Sequence, residues 1–160
     1  MPKVITYEQA LLKATQLCSK SEHCKSEITD KLFAWGISDR PTQEKILDYL
    51  EENNYLDEKR YARAFCNDKL RYQGWGRRKI QMMLQMKKLP EYAIDEAIGD
   101  IDESIYVEVL QKALKQKLNS LPETLSAREQ AQKILQFLMQ RGFLYEEISK
   151  QISSLSLPSE

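Results

Sequence analysis

Four long stretches of this chain contain neither proline nor glycine: residues 3–35, 42–73, 100–121 and 123–141. Proline and glycine interrupt helices more than any other residue, so their scarcity leaves the chain free to coil over most of its length. Within these stretches apolar residues recur three and four apart, as in Ala10, Ala14, Leu17, in Val107, Leu110, Leu114, Leu118, and in Ile134, Leu138. That spacing puts them on one face of a helix. No run alternates at period two long enough to make a strand. The chain reads as all-α.

The helices repeat. One pattern places Ile and Leu four apart, then Gly or Lys, an apolar residue and a second apolar pair. It occurs as Ile28, Leu32, Gly36, Ile37, Ile46, Leu50, again as Ile80, Leu84, Lys88, Leu89, Ile94, Ile98, and again as Ile134, Leu138, Gly142, Phe143, Ile148, Ile152. A capped helix precedes each copy. Leu56-Asp57 with Tyr61, and Ile101-Asp102 with Tyr106, combine an N-cap carboxylate with a hydrophobic staple. Thr6 with Gln9, and Ser126 with Glu129, have capping-box spacing. The pattern predicts three tandem three-helix repeats: residues 1–53, residues 54–99 carrying a basic face, and residues 100–160 with a short C-terminal tail. Units this small bury little alone, so neighbours are expected to stack in an elongated array.

With 160 residues, 42% apolar and 30% charged, the chain has the composition of a soluble folded protein. Three cysteines, Cys18, Cys24 and Cys66, make no disulfide framework and favour a reducing compartment. The opening residues lack the apolar run of a signal peptide, and no segment approaches the ~18 consecutive apolar residues of a membrane span. These features predict a cytoplasmic protein with no membrane partner.

Catalysis finds little support. His23 between Cys18 and Cys24 offers three candidate ligands without the second cluster that tetrahedral zinc requires. Gly74-Trp75-Gly76 lacks phosphate-loop spacing and follows no strand. The carboxylates read as caps and solvated faces. No cofactor, metal or enzymatic activity is expected.

Charge placement is the positive signal. The 24 basic and 24 acidic residues cancel, which excludes a uniformly basic coat. Between Lys59 and Lys88, however, ten cations face one acid, Asp68, whereas Glu91–Leu110 holds seven acids and no base. Such polarity orients a protein toward a charged partner. Arg60, Arg63, Lys69, Arg71, Arg77, Arg78 and Lys79, with Tyr72 and Trp75 interleaved, make a candidate partner or DNA-binding face. Three cations opening a helix oppose its dipole, so Arg77-Arg78-Lys79 are read as solvent-facing rather than structural.

Several segments resemble the RecX family of bacterial regulatory proteins. Asn54-Tyr55-Leu56-Asp57-Glu58-Lys59-Arg60-Tyr61-Ala62 is similar to its Leu-Asp-Asp-x-Arg-Phe/Tyr-Ala signature, and Gly76-Arg77-Arg78-Lys79-Ile80 to the turn that follows its basic helix. Ser26–Leu32 with Gly36, and Phe137-Leu138-Met139-Gln140-Arg141-Gly142-Phe143, are similar to its upstream and C-terminal segments. Glu58 departs from the commoner Asp, Lys88 from a Gly, and Cys24 from a Ser. The resemblance implies three-helix repeats and a non-enzymatic modulator of the RecA recombinase. Its partner would be the RecA–single-stranded DNA filament, with single- or double-stranded DNA as an auxiliary contact, in DNA repair and SOS control. The alternative is a helical DNA-binding protein of helix-turn-helix type; balanced charge and the lack of a clear base-reading set weaken it.

Overall fold

Each helix starts and stops for a local chemical reason. The computed structural model describes residues 5–154, and among these it places nine α-helices and no strand. They are α1 (Tyr7–Lys20), α2 (Lys25–Ala34), α3 (Arg40–Glu52), α4 (Glu58–Arg71), α5 (Arg77–Met86), α6 (Glu91–Gly99), α7 (Glu103–Ser120), α8 (Ala127–Gln140) and α9 (Tyr145–Ser154). The signal-peptide reading of Met1–Val4 and the tail from Leu155 lie outside the described residues.

The expected caps form. Thr6 Oγ1 accepts from the Gln9 N–H while Gln9 returns the bond to the Thr6 N–H, and Ser126 and Glu129 do the same. Asp57 accepts from the Arg60 N–H at 3.0 Å, and Asp102 from the Ser104 and Ile105 N–H groups. These side chains satisfy donors that the first helical turn leaves without a partner.

The recurrent Leu-x3-(Gly or Lys)-apolar pattern is a helix stop. In α2, α5 and α8 the N–H of Ile37, Leu89 and Phe143 donates back to the carbonyl of Leu32, Leu84 and Leu138 respectively. This is a Schellman closure, whose preceding residue must take a left-handed conformation. Gly36 (φ +93°), Lys88 (φ +62°) and Gly142 (φ +98°) do so. Both partners of each apolar pair are buried, so every stop also seals a piece of core.

Two of the uninterrupted stretches are each divided without help from Gly or Pro. Between α1 and α2 the backbone extends at Ser21, and α2 restarts where the Cys24 N–H donates to Glu27 Oε1 at 3.1 Å. His23 therefore sits in the loop ahead of α2. Between α3 and α4, Asn54 takes φ +61°.

The helices pack as two compact units. The first holds the described residues through Ala64 together with Leu84–Ala97; the second holds Phe65–Met83 together with the described residues from Ile98 onward. The division runs through α4, α5 and α6, so the helices of the central repeat are apportioned to both units. In the first unit α1, α2 and α3 enclose Ala10, Ala14, Ile28, Leu32, Ile46 and Leu50, all inaccessible to solvent. In the second, α8 packs against α7 and α9, burying Leu110, Leu114, Ile134, Leu138 and Ile148, with the Tyr106 and Phe143 rings 5.5 Å apart.

Candidate functional site

The cations expected to form one basic face divide into structural and exposed groups. In the first unit Arg60 is tied down. Its Nε donates to Glu22 Oε2 at 2.6 Å and its Nη2 to the carbonyls of Asn54 and Tyr55. The signature residues Tyr61 and Ala62 are buried beside it in sequence, as is Leu56, while Tyr55 is half-buried. Lys59 bonds Glu96 at 3.1 Å with its ammonium 5.6 Å from the Tyr92 ring centre. Arg63 is exposed and makes no ion pair among the described residues.

The second unit corrects the reading of Arg77. This side chain, expected in solvent, is only 24% exposed and makes ion pairs with Glu103 and with Glu147, the latter at 2.9 Å. Its guanidinium lies 3.9 Å from the centre of the Tyr106 ring, and its backbone N–H donates to the Tyr106 hydroxyl. That hydroxyl in turn donates to Glu147. The first turn of α5 is thereby fastened to the starts of α7 and α9, and the unfavourable dipole position is offset by two carboxylates. Burial lowers the Arg77 pKa, but Glu103, Tyr106 and Glu147 outweigh it and hold the group charged.

The glycines of this region are there for close approach. The Gly76 N–H donates to the Arg141 carbonyl at 2.7 Å, and the Arg78 N–H to the Gly142 carbonyl at 3.1 Å. A Cβ on Gly76 would collide with the Gly142 backbone, and one on Gly142 with Lys79. Arg141 donates to the Gln73 carbonyl and lies over the Phe137 ring. Ile80 and Phe143 are buried beneath. The signature residues Gly76, Ile80, Arg141, Gly142 and Phe143 thus form one backbone crossing, with no chemistry of their own.

What this clasp presents is a group of cations around an aromatic. Trp75, half-buried in the α4–α5 loop, packs edge-on to Phe65 with centroids 6.3 Å apart. Lys69 and Lys79 place their ammonium groups 5.1 and 4.4 Å from its ring centre. Arg71 and Arg78 are exposed and, like Lys79, make no ion pair among the described residues; Tyr72 is 81% exposed. Arg71 is near enough to Asp102 to help lower its pKa, behind the bonds from Ser104 and Ile105. The arrangement offers cations with an aromatic neighbour and no nucleophile.

Elsewhere the titratable groups are structural. Glu58, 7% exposed, accepts from the Lys25 N–H at 3.0 Å, so a carboxylate of α4 caps α2. Burial pushes its pKa above the ordinary range, against the pull of Lys25. Glu27 binds Lys87 Nζ at 2.9 Å and the Tyr61 hydroxyl at 3.4 Å. Burial raises its pKa, but Lys87, the Cys24 N–H and His23 together bring it below the ordinary value. Burial, aided by Glu22, pushes the Cys18 thiol up to about 11, and burial pushes Cys66 up to about 12. Both remain protonated at neutral pH and are poor nucleophiles. Among the described residues no group of three His, Cys, Asp or Glu side chains is placed to hold a metal, and no helix is long and apolar enough to cross a membrane. Sequence reasoning missed Glu22, Glu58, Glu103 and Glu147 as partners; only Tyr106, picked out as a staple residue, pointed toward this network.

Comparison with known proteins matches two of the three-helix segments to one family. Residues 57–98 match the family model for the second three-helix domain of RecX, and residues 104–152 that for the third. Regulatory protein RecX of Clostridium tetani is 28% identical over 158 residues, covering 96% of this chain and 72% of the relative. Its counterpart in Clostridium botulinum strain Eklund 17B is 32% identical over 151 residues, covering 91% and 70%. The crystal structure of RecX from Lactobacillus salivarius superposes with a TM-score of 0.84 at 21% identity, covering 94% of this chain and 96% of that one, which shows a shared fold. Matched over two of its three-helix segments and along most of its length, the chain belongs to the RecX family of regulatory proteins.

Proposed function

We propose that this chain is a non-enzymatic cytoplasmic regulator that binds the RecA–single-stranded DNA filament and restrains its recombinase, ATPase and co-protease activities in DNA repair and SOS control. The observation that carries the contact is the group on the second unit held by the Gly76–Gly142 crossing: exposed Arg71, Tyr72 and Arg78 beside half-buried Lys69, Trp75 and Lys79, with Arg71, Arg78 and Lys79 making no ion pair among the described residues. Cations whose charge is not already satisfied meet an acidic surface without first breaking an internal pair. Arg60 and Arg77 lack that property, since each holds an internal carboxylate, and Lys69 has it only in part, with Asp68 at 3.8 Å. A rigid support for several modest contacts raises their joint strength through effective concentration.

The test is RecA-dependent ATP hydrolysis on single-stranded DNA, titrated with the parent protein and with an Arg71→Glu/Arg78→Glu variant. The reading requires loss of ATP turnover at protein levels too low to coat the DNA, and a clear loss of that effect in the variant. Inhibition relieved simply by adding free DNA would replace it with a DNA-binding function. Direct phosphate contact also predicts a fall in log affinity with log salt of about 0.7 per contact on single strands.

A further inference from the structure

An open surface groove lies far in sequence from that cation group, where α7 hands over to α8. Pro122 prevents α7 from continuing, and the connecting segment folds back with the Leu125 N–H donating to the Pro122 carbonyl. Leu121, Pro122 and Leu125, with Phe137 of α8, then supply the apolar lining of this groove of about 610 Å³. That volume is within the range of sites that seat one or two side chains of a ligand.

Its polar groups are of one kind. Lys117 and Lys133 contribute ammonium groups to its lining, Gln136 and Gln140 contribute amides, and no carboxylate lines it. Neither lysine has an ion-pair partner among the described residues. Glu129, one turn before Lys133, feels its charge but lies outside the lining. Arg141 adds a third positive charge close by, with its guanidinium and the Lys117 ammonium each 4.8 Å from the Phe137 ring centre.

We propose that this groove docks an acidic peptide segment of a partner protein, with one apolar side chain of that segment seated between Leu125 and Phe137. The argument is charge and shape complementarity. An apolar anchor packs on the apolar lining, neighbouring carboxylates meet Lys117 and Lys133, and the two glutamine amides offer donors and acceptors to a peptide backbone. A nucleic acid fits less well, because the Phe137 ring is already approached by two cations and leaves no open stacking platform. This docking is separate from the filament reading, since it uses none of the residues from Lys69 to Lys79.

The experiment uses the full chain and a short fluorescein-labelled peptide of glutamates and aspartates around one phenylalanine, followed by anisotropy. Saturable binding is expected, weakened about tenfold or more by Lys117→Glu/Lys133→Glu, since like charges then face each other. A Lys112→Glu/Lys115→Glu variant, which reverses two exposed lysines of α7 outside the groove, should bind like the parent. Circular dichroism checks that both variants stay helical. Absence of binding, equal loss in both double variants, or equal binding of the same peptide with phenylalanine replaced by serine would overturn the proposal. So would a single-stranded oligonucleotide that displaces the peptide and depends on the same two lysines.

Discussion

The two units secure the central helices by opposite means. In the first, side chains do the work: the Glu58 carboxylate caps α2, Glu27 gathers Lys87 and Tyr61, and Arg60 reaches Glu22. In the second, backbone meets backbone at Gly76 and Gly142, and the side chains of Arg77, Tyr106 and Glu147 lock the crossing. A side-chain clasp tolerates conservative replacement, because another acceptor of similar reach can serve. A backbone crossing does not, because any Cβ lies in the path of the partner strand of chain. The contrast separates the signature positions of the second unit, Gly76 and Gly142, which act through their backbone, from those of the first, Asp57 and Arg60, which act through their side chains.

The largest expected effect breaks the backbone clasp. Gly142→Ala combines a left-handed backbone with a collision against Lys79 and should cost about 3 kcal/mol in urea unfolding. Gly99→Ala meets nothing within 4 Å and, as a helical glycine, should be neutral or stabilising by under about 1 kcal/mol. Equal effects at the two positions would remove the distinction.

Next comes the division among the cations. Arg77→Glu opposes a carboxylate to Glu103 and Glu147 and should destabilise by about 2 kcal/mol, less than a fully buried pair would because Glu103 is exposed. Arg78→Glu should shift stability by no more than about 0.5 kcal/mol while weakening control of ATP turnover. Thermal melts beside the ATPase titration separate the two roles; a stable Arg77→Glu protein would return that residue to the partner face.

Helix ends offer a smaller pair of tests. Asp57→Ala removes the acceptor for the Arg60 N–H and should cost about 1 kcal/mol. Lys88→Gly relieves a left-handed residue at the α5 stop and should stabilise by about 1 kcal/mol. Chemical denaturation checks both signs.

The finest test is pH, within the side-chain clasp itself. Glu58 holds its proton more tightly folded than unfolded, so its contribution is greatest below the ordinary carboxylate range and is lost as pH rises through the folded value. Glu58→Gln keeps an acceptor for Lys25, and its stability relative to the parent should therefore rise across that window. Glu27 has the opposite sign: its contribution is present above the ordinary range and is lost as pH falls through its lowered folded value. Glu27→Gln should be less stable than the parent near neutrality and converge with it in acid. Parallel pH curves for the two variants would deny that their environments differ.

Much of the fold was legible because helix boundaries are short-range. Thr6 with Gln9, and Ser126 with Glu129, are complete within four residues, and the three Schellman closures described join residues five apart. The candidate site was legible only as a density of charge. Arg77 and Arg78 are neighbours of identical type, yet one is internal and the other exposed. The carboxylates that separate them, Glu103 and Glu147, lie 26 and 70 positions from Arg77.

Sequence alone thus determined the helical class, the caps, the stops and their triple recurrence, since each depends on residues within one or two turns. The tertiary structure decided which charges are paired within the chain. Ion pairing depends on distance in space, and the acids after Glu91 that balanced the basic stretch in the count come back in the fold as direct partners, Glu96 to Lys59 and Glu103 to Arg77. Glycine followed the same rule: at Gly36 the local stop accounts for it, but at Gly76 the reason is a piece of chain more than sixty residues away, whose backbone leaves no room for a side chain.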